Sequence, residues 1–254
     1  GYAGPLERLE QLVLSESTPG RYDDRRRWTL TQAASLRAER RKQLQSDEPQ
    51  AKRVRPLALL DALDRALERL GGGFITTEQF ATPLDCMHDK AGGGANTYLG
   101  PVGGSEGCGI GAVLGAKLAA PDRPVVGLVG DGSMYYADSG LWTAVHHRIP
   151  VLYLSDNNGT YGIVADFFGK AQGTMTQSGD YAGVVLDGID PVKIASGYGV
   201  EGQRVEDEAA IDDVITDALE TVEREKRPYL LDVRLPIGLP RGGRAATPFR
   251  LADA

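Results

Sequence analysis

The sequence predicts an α/β fold, in which helices cover both faces of an open, mostly parallel β-sheet. Two short apolar runs, Val125–Val129 and Leu152–Leu154, each stop at a polar, glycine-containing turn. Such runs are typical of parallel strands that are buried on both faces. The segment between them, Met134 to Pro150, is long enough for one crossover helix, which predicts a right-handed βαβ unit. Both turns should then lie at the carboxyl ends of neighbouring strands, where open α/β sheets bind ligands.

The other elements of this domain follow from hydrophobic spacing and from helix and strand stop signals. A helix should begin at Pro56, because proline is tolerated in a first helical turn and leucines then recur on one face. The remaining predicted elements are a first strand at Phe74–Thr76, helices at Gly109–Leu118, Asp190–Ala195 and Glu206–Arg224, and a last strand at Tyr229–Val233.

The two ends of the chain differ in composition from the middle. Residues 1–55 combine a short leucine stripe with a strongly charged stretch, Arg25 to Gln45, and we expect them to form a helical linker or interaction arm. Residues 56–235 form the predicted α/β domain. Residues 236–254 are rich in Pro, Gly and Arg, and we expect an extended tail.

Composition narrows the classes of function. The chain of 254 residues carries a formal net charge of −7, which argues against a nucleic-acid partner or an anionic membrane surface. Its two cysteines do not suggest a disulfide scaffold. It contains neither an apolar run of membrane-spanning length nor an initial signal peptide, so we expect a cytoplasmic protein without a membrane partner.

The two polar turns carry the chemistry of a metal-diphosphate site. Asp131 offers a carboxylate, Asn158 an amide oxygen, and Thr160 a backbone carbonyl, which are ligands that suit Mg²⁺. The glycines at 130 and 132 allow a phosphate to approach the backbone closely. Ser133 falls at a predicted helix N-terminus, where free N–H groups favour an anion.

The sequence Gly130-Asp131-Gly132-Ser133, followed after one βαβ unit by Asn157-Asn158-Gly159-Thr160-Tyr161-Gly162, resembles the signature of thiamine diphosphate enzymes. Roughly Pro56 to Leu235 is similar to the diphosphate-binding domain of the decarboxylase and acetolactate synthase superfamily, most of all benzoylformate decarboxylase. The resemblance implies the thiamine diphosphate-binding fold, with thiamine diphosphate and Mg²⁺ as cofactors.

The resemblance also implies further site residues. The Gly104 carbonyl should accept the aminopyrimidine N–H, and Glu106 stands where the family has an apolar residue that supports the bent cofactor. A carboxylate there could contribute charge or proton transfer, unless a register shift places Cys108 or Ile110 at that position. Cofactor contacts are also expected from the residues that follow Thr160, and an apolar substrate pocket from the start of the next helix. These residues are Tyr161, Gly162 and Ile163 for the cofactor and Ile163, Val164 and Phe167 for the substrate.

Two other candidate segments precede Gly104 in the sequence. The residues Glu78 to Thr82 match a family turn that contacts the cofactor, but Phe80 and Ala81 replace small hydroxyl residues there. His88, in the loop after the first strand, is a candidate catalytic residue. His146 and His147 end the crossover helix, away from the strand ends, and are expected at the surface.

The resemblance implies non-oxidative decarboxylation of a 2-oxo acid. In the superfamily a Glu on a second, pyrimidine-binding domain activates the cofactor, and this chain has residues for only one sheet. We therefore expect a split enzyme, in which this chain is the C-terminal half of a hetero-oligomer and a partner subunit supplies that Glu. One alternative is a carboligase or lyase subunit similar to acetolactate synthase or 2-hydroxyacyl-CoA lyase. Another is a non-catalytic, cofactor-binding regulatory subunit.

Overall fold

The computed structural model describes residues 3–16, 20, 22–46, 51–78, 95–100, 106–165, 174, 177, 183–186 and 188–236. The chain divides into two compact units, Gly1–Arg41 and Lys42–Ala254. The first unit holds helix α1 (Ala3–Glu16) and most of α2 (Asp23–Ser46). The leucines of α1 are exposed. No helix in the described ranges is both long and apolar enough to cross a membrane.

The second unit is built on one sheet of six parallel strands, where the sequence predicted an open, mostly parallel sheet. The strands are β1 (Phe74–Thr77), β2 (Thr97–Leu99), β3 (Val125–Gly130), β4 (Leu152–Asn157), β5 (Glu201–Val205) and β6 (Tyr229–Arg234). Their order across the sheet is β2-β1-β3-β4-β6-β5, and every adjacent pair is parallel. The two central strands β3 and β4 carry the predicted apolar runs, and Gly130 pairs with Asp156 at their carboxyl ends.

Helices cover both faces of the sheet, which confirms the predicted layering. They are α3 (Pro56–Arg69), α4 (Gly109–Ala119), α5 (Asp131–Met134), α6 (Ser139–His146), α7 (Pro191–Gly197) and α8 (Ile211–Glu225). One core cluster joins Val126 and Leu128 of β3 to the apolar faces of α3 and α8. A second joins Val125 and Val129 to α4, α6 and α7. Successive side chains of β3 therefore enter opposite cores, as expected for a strand buried on both faces.

The crossover between β3 and β4 differs from the single helix that was predicted. Two helices, α5 and α6, are separated by residues 135–138. After α5 the backbone hydrogen bonds join residues three apart, since the N–H groups of Tyr136 and Ala137 donate to the carbonyls of Ser133 and Met134. The chain thus turns between the two helices instead of continuing one.

Candidate functional site

The site is a pocket at the carboxyl ends of β3 and β4. It is lined by Glu106, Gly130, Asp131, Gly132, Ser133, Tyr136, Asp156, Asn158, Thr160, Tyr161, Gly162, Ile163 and Val164. The structure therefore brings together all of the site residues predicted from the sequence that fall within the described ranges. The other three, His88, Gly104 and Phe167, lie outside the described residues.

Asp131 follows β3 directly and is almost completely buried. Its Oδ2 accepts a hydrogen bond of 2.9 Å from the Gly159 N–H, in the turn after β4. Burial raises the pKa of Asp131 to about 7, although hydrogen bonds from the Gly132 and Gly159 backbone favour its ionised form. A cation in the pocket would favour that ionised form further.

The turn after β4 holds the other two predicted metal ligands, Asn158 and Thr160. Asn158 Oδ1 accepts hydrogen bonds from the Thr160 N–H at 3.0 Å and from the Thr160 hydroxyl at 3.3 Å. Gly159, between them, has φ of +69° and its carbonyl accepts from the Leu186 N–H. Left-handed backbone of this kind favours glycine. Thr160 is fixed in turn by an antiparallel bridge to Val185.

The three predicted metal ligands offer one carboxylate from Asp131, one amide oxygen from Asn158 and one backbone carbonyl from Thr160. Within the described ranges, no group of three or more His, Cys, Asp or Glu side chains could hold a metal ion. A metal in this pocket would instead bind mixed oxygen ligands, a set that Mg²⁺ accepts while keeping positions for phosphate and water. The donor chemistry therefore fits Mg²⁺ with a diphosphate.

The two glycines around Asp131 have different surroundings. A Cβ at Gly132 would lie 2.5 Å from Tyr161 Cε1, so the missing side chain allows the tyrosine ring to pack on this turn. A Cβ at Gly130 would come no closer than 3.6 Å, to Ser133 Oγ. Ring packing is thus a second reason for glycine at position 132, and the approach of a phosphate to both glycines stays a prediction.

Glu106 lies in the pocket, where the sequence placed it. The Ser133 hydroxyl, in the first turn of α5, donates to Glu106 Oε2 at 2.5 Å. Glu106 Oε1 is buried and has no hydrogen-bond partner among the described residues. The residues offered by a register shift do not line the pocket, because Cys108 is exposed and Ile110 belongs to the core.

Glu78 is a second buried carboxylate near Glu106. The sequence placed it in a turn that resembles a cofactor-contacting turn of the family, but did not single it out as a site residue. It directly follows β1 and is fully buried. Its Oε1 accepts hydrogen bonds from the N–H groups of Gly107 at 3.0 Å and Gly109 at 2.7 Å. Burial raises the pKa of Glu78, and the nearby Glu106 raises it further. The sequence pattern that identified Asp131, a carboxylate directly after a buried strand, could also have identified Glu78.

Asp156 and Tyr136 also line the pocket and were not predicted. Asp156 is the last residue but one of β4, so a charged side chain closing an apolar strand was again the signal. Tyr136 lies in the turn between α5 and α6. This turn was not expected, because the sequence predicted one crossover helix.

The pocket lies in a region that matches a known family. The profile described as "Thiamine pyrophosphate enzyme, C-terminal TPP binding domain" matches residues 91–233, more than half of the chain. The chain belongs to the thiamine pyrophosphate enzyme family. The fold and the resemblance to thiamine diphosphate enzymes that were predicted from the sequence are thereby confirmed.

Similar members of the thiamine pyrophosphate enzyme family are known by sequence and structure. Benzoylformate decarboxylase of Pseudomonas aeruginosa is 36% identical over 137 residues, which cover 54% of this chain and 24% of that enzyme. The acetolactate synthase isozyme 3 large subunit of Escherichia coli is 28% identical over 234 residues, covering 90% of this chain and 38% of that subunit. The chain thus spans well under half the length of these relatives.

A solved member of the family shares the architecture. The thiamine diphosphate-dependent 4-hydroxybenzoylformate decarboxylase of Rhodococcus jostii superposes with a TM-score of 0.60 at 34% identity. The superposition covers 76% of this chain and 35% of that one.

His146 and His147, at the carboxyl end of α6, lie outside the pocket. Both His146 and His147 are exposed at the end of the helix, as predicted. The His146 ring stacks on Trp142, with ring centroids 4.6 Å apart. Neither lines the pocket.

Proposed function

We propose that this chain is the cofactor-binding subunit of a thiamine diphosphate- and Mg²⁺-dependent enzyme that decarboxylates a 2-oxo acid without oxidation. The observation that carries the proposal is the convergence of Asp131, Asn158 and Thr160 with Glu106 on one pocket at the ends of two parallel strands. Membership of the family supplies the cofactor. The similarity to a benzoylformate decarboxylase and to a 4-hydroxybenzoylformate decarboxylase supports a 2-oxo acid as the substrate class.

In this proposal the Asp131 carboxylate, the Asn158 amide oxygen and the Thr160 carbonyl hold Mg²⁺. The remaining positions around the metal are left for diphosphate oxygens and water. Gly130 and Ser133 border the diphosphate, while Gly104, Tyr161, Gly162 and Ile163 contact the rest of the cofactor. The apolar side chains of Ile163 and Val164 line the same pocket, which suits the apolar part of a substrate, and Phe167 is proposed to join them.

When bound, thiamine diphosphate supplies the carbon nucleophile that adds to the 2-oxo carbonyl and the electron sink for loss of CO₂. The chain's own contribution is binding, orientation and control of protons. Glu106 is the proposed catalytic residue for proton transfer, since its Oε1 is buried in the pocket and Ser133 fixes its Oε2. His88 is proposed as a second group that acts on the substrate.

We further propose that a partner polypeptide brings the pyrimidine-binding domain and the activating Glu. The support is that the two relatives extend far beyond the region they share with this chain. The shared region is 24% of the benzoylformate decarboxylase and 38% of the acetolactate synthase subunit. The assembly would be a hetero-oligomer. A cytoplasmic location remains a prediction.

Carboligation is the alternative reaction. The alignment with the acetolactate synthase large subunit covers 90% of this chain, a larger share than the 54% aligned with benzoylformate decarboxylase. In both reactions CO₂ is lost first, and they differ in whether a proton or a second carbonyl compound takes up the electron pair. The described residues favour neither outcome by their chemistry.

The test is an assay of the chain, alone and with its partner subunit, on benzoylformate and on pyruvate, with Mg²⁺ and thiamine diphosphate. We expect CO₂ release only from the assembled protein, and benzaldehyde as the product from benzoylformate. Acetolactate formation from pyruvate would favour the carboligase. Full activity of the chain by itself would refute the split-enzyme proposal. Turnover unchanged in a folded Asp131→Ala assembly would favour a non-catalytic subunit.

A further inference from the structure

A buried carboxylate lies behind the proposed metal site, outside the pocket. Asp232, in β6, is fully buried and does not line the pocket. Its Oδ1 accepts a hydrogen bond of 2.7 Å from Asn157 Nδ2, and its Oδ2 accepts one of 2.9 Å from Arg204 Nε. Both oxygens of the carboxylate are therefore engaged, one on each side of β6.

The carboxylate determines how the Asn157 amide is turned. An ionised carboxylate only accepts hydrogen bonds, so Asn157 must present its NH₂ group to Asp232. The amide oxygen then faces the opposite way, where Asn157 Oδ1 accepts from the Gly159 N–H at 3.1 Å. Because Asn157 is itself buried, the reversed amide would leave two donors facing each other without water to separate them.

The Gly159 N–H connects this chain of hydrogen bonds to the proposed metal ligands. The same N–H donates to Asp131 Oδ2 at 2.9 Å. It also belongs to the peptide group that follows Asn158, so its direction fixes the backbone on which the Asn158 side chain is carried. The Gly159 N–H thus fixes the position of Asn158 relative to Asp131, the two side chains that are proposed to bind Mg²⁺.

We propose that Asp232 is a positioning residue for the metal site, acting through Asn157 and the Gly159 N–H. The metal part of this inference rests on the proposed function, whereas the hydrogen-bond chain stands on the geometry alone. Arg204 supports Asp232 from the other side and also pairs with Asp190, its Nη2 lying 3.3 Å from Asp190 Oδ2. Groups around a metal ligand that orient it typically change metal affinity by about 10- to 100-fold when they are replaced.

The decisive variant is Asp232→Asn, which keeps the shape of the side chain. The new amide can accept from Arg204 only by turning its own NH₂ towards Asn157. Asn157 must then reverse, and its NH₂ would face the Gly159 N–H. We expect the affinity for Mg²⁺, titrated calorimetrically into the full chain with thiamine diphosphate, to fall by about 10- to 100-fold. We also expect faster hydrogen exchange of the Gly159 amide in metal-free protein.

A double variant tests the direction of the hydrogen bonds. In Asn157→Asp with Asp232→Asn, the amide at 232 accepts from Arg204 and donates to the carboxylate at 157. That carboxylate can still accept from the Gly159 N–H. Every hydrogen bond is then restored, and only the bond between residues 157 and 232 has changed direction. We expect Mg²⁺ affinity and Gly159 exchange to return to within about threefold of wild type. A purely structural role for the Asp232 charge does not predict this rescue.

Asp190→Asn is the matched control. It alters the other carboxylate on Arg204, and asparagine can replace aspartate as the N-cap of α7, where Asp190 accepts from Val192 and Lys193. We expect it to leave both measurements unchanged. If Asp232→Asn does not fold, Asn157→Ala, which keeps the Asp232–Arg204 pair, should give the same two losses.

Two results would overturn the inference. One is a Gly159 exchange rate in Asp232→Asn equal to that of wild type. The other is a double variant that is no better than Asp232→Asn in either measurement. If wild type itself binds no Mg²⁺ in the presence of thiamine diphosphate, the proposed function is refuted instead, and Gly159 exchange still tests the hydrogen-bond chain.

Discussion

Replacing Glu78 should separate its role as a hydrogen-bond acceptor from the effect of its charge. Glu78→Ala removes the acceptor for two backbone N–H groups. The Gly109 N–H is buried and bears the full cost of about 1–3 kcal/mol, whereas Gly107 is partly exposed and can recruit water. We therefore expect Glu78→Ala to lower the free energy of unfolding by about 1–3 kcal/mol. Glu78→Gln retains Oε1 and should cost less than about 1 kcal/mol.

The charge of Glu78 gives a second, pH-dependent expectation. Since burial raises its pKa, the folded protein binds this proton more tightly than the unfolded chain does. Stability attributable to Glu78 is therefore lost as the pH rises above 4.5, the ordinary value for glutamate, towards the raised pKa. In that range the stability of Glu78→Gln should improve relative to wild type by up to about 1.4 kcal/mol per pH unit.

The assay is urea unfolding of the cofactor-free chain at a series of pH values from about 4.5 upward, followed by circular dichroism. Glu220→Gln, which changes an exposed glutamate on α8, is the control and should follow the wild-type curve. The reasoning is refuted if wild type and Glu78→Gln have parallel pH dependences, or if Glu78→Ala is as stable as Glu78→Gln.

The remaining predictions concern the pocket. Asn158→Ala should weaken Mg²⁺ and thiamine diphosphate binding together by at least about tenfold, and cofactor binding that survives without any metal dependence would show that the ligand assignment is wrong. Gly132→Ala should cost about 1–3 kcal/mol, because its Cβ would lie 2.5 Å from the Tyr161 ring, while Gly130→Ala, with 3.6 Å of clearance, should be nearly neutral in thermal unfolding. Glu106→Leu should lower turnover of the assembled enzyme by about 100-fold or more and change its pH profile, and an unaltered profile and rate would exclude proton transfer by Glu106.

The central part of the fold could be predicted from the sequence because β3 and β4 are buried on both faces. Their apolar runs are continuous, and the polar turns after them mark the ligand-binding edge. The two edge strands escaped prediction for the opposite reason. In β5, the residues Glu201 to Val205 are mostly polar and exposed, and β2 has only three residues.

The candidate site was predictable where its residues follow one another in a motif. Asp131 and Asn158 each stand directly after a strand, so local sequence was sufficient. Glu78 and Asp232 depend on partners distant in the chain, with Glu78 bonded to Gly109 across 31 residues and Asp232 to Asn157 across 75. No local pattern contains those pairings, which arise only when β1 meets the start of α4 and when β4 lies beside β6.

Native mass spectrometry tests the central claim most directly. The chain would be expressed together with the products of its neighbouring genes and sprayed from solutions containing Mg²⁺ and thiamine diphosphate, with Asp131→Ala as the matched variant. We predict a hetero-oligomer that retains thiamine diphosphate and Mg²⁺ on each copy of this chain, and loses both in the Asp131→Ala assembly. An oligomer of this chain alone that holds the cofactor and is fully active, or an assembly whose cofactor content is unaffected by Asp131→Ala, would contradict the account.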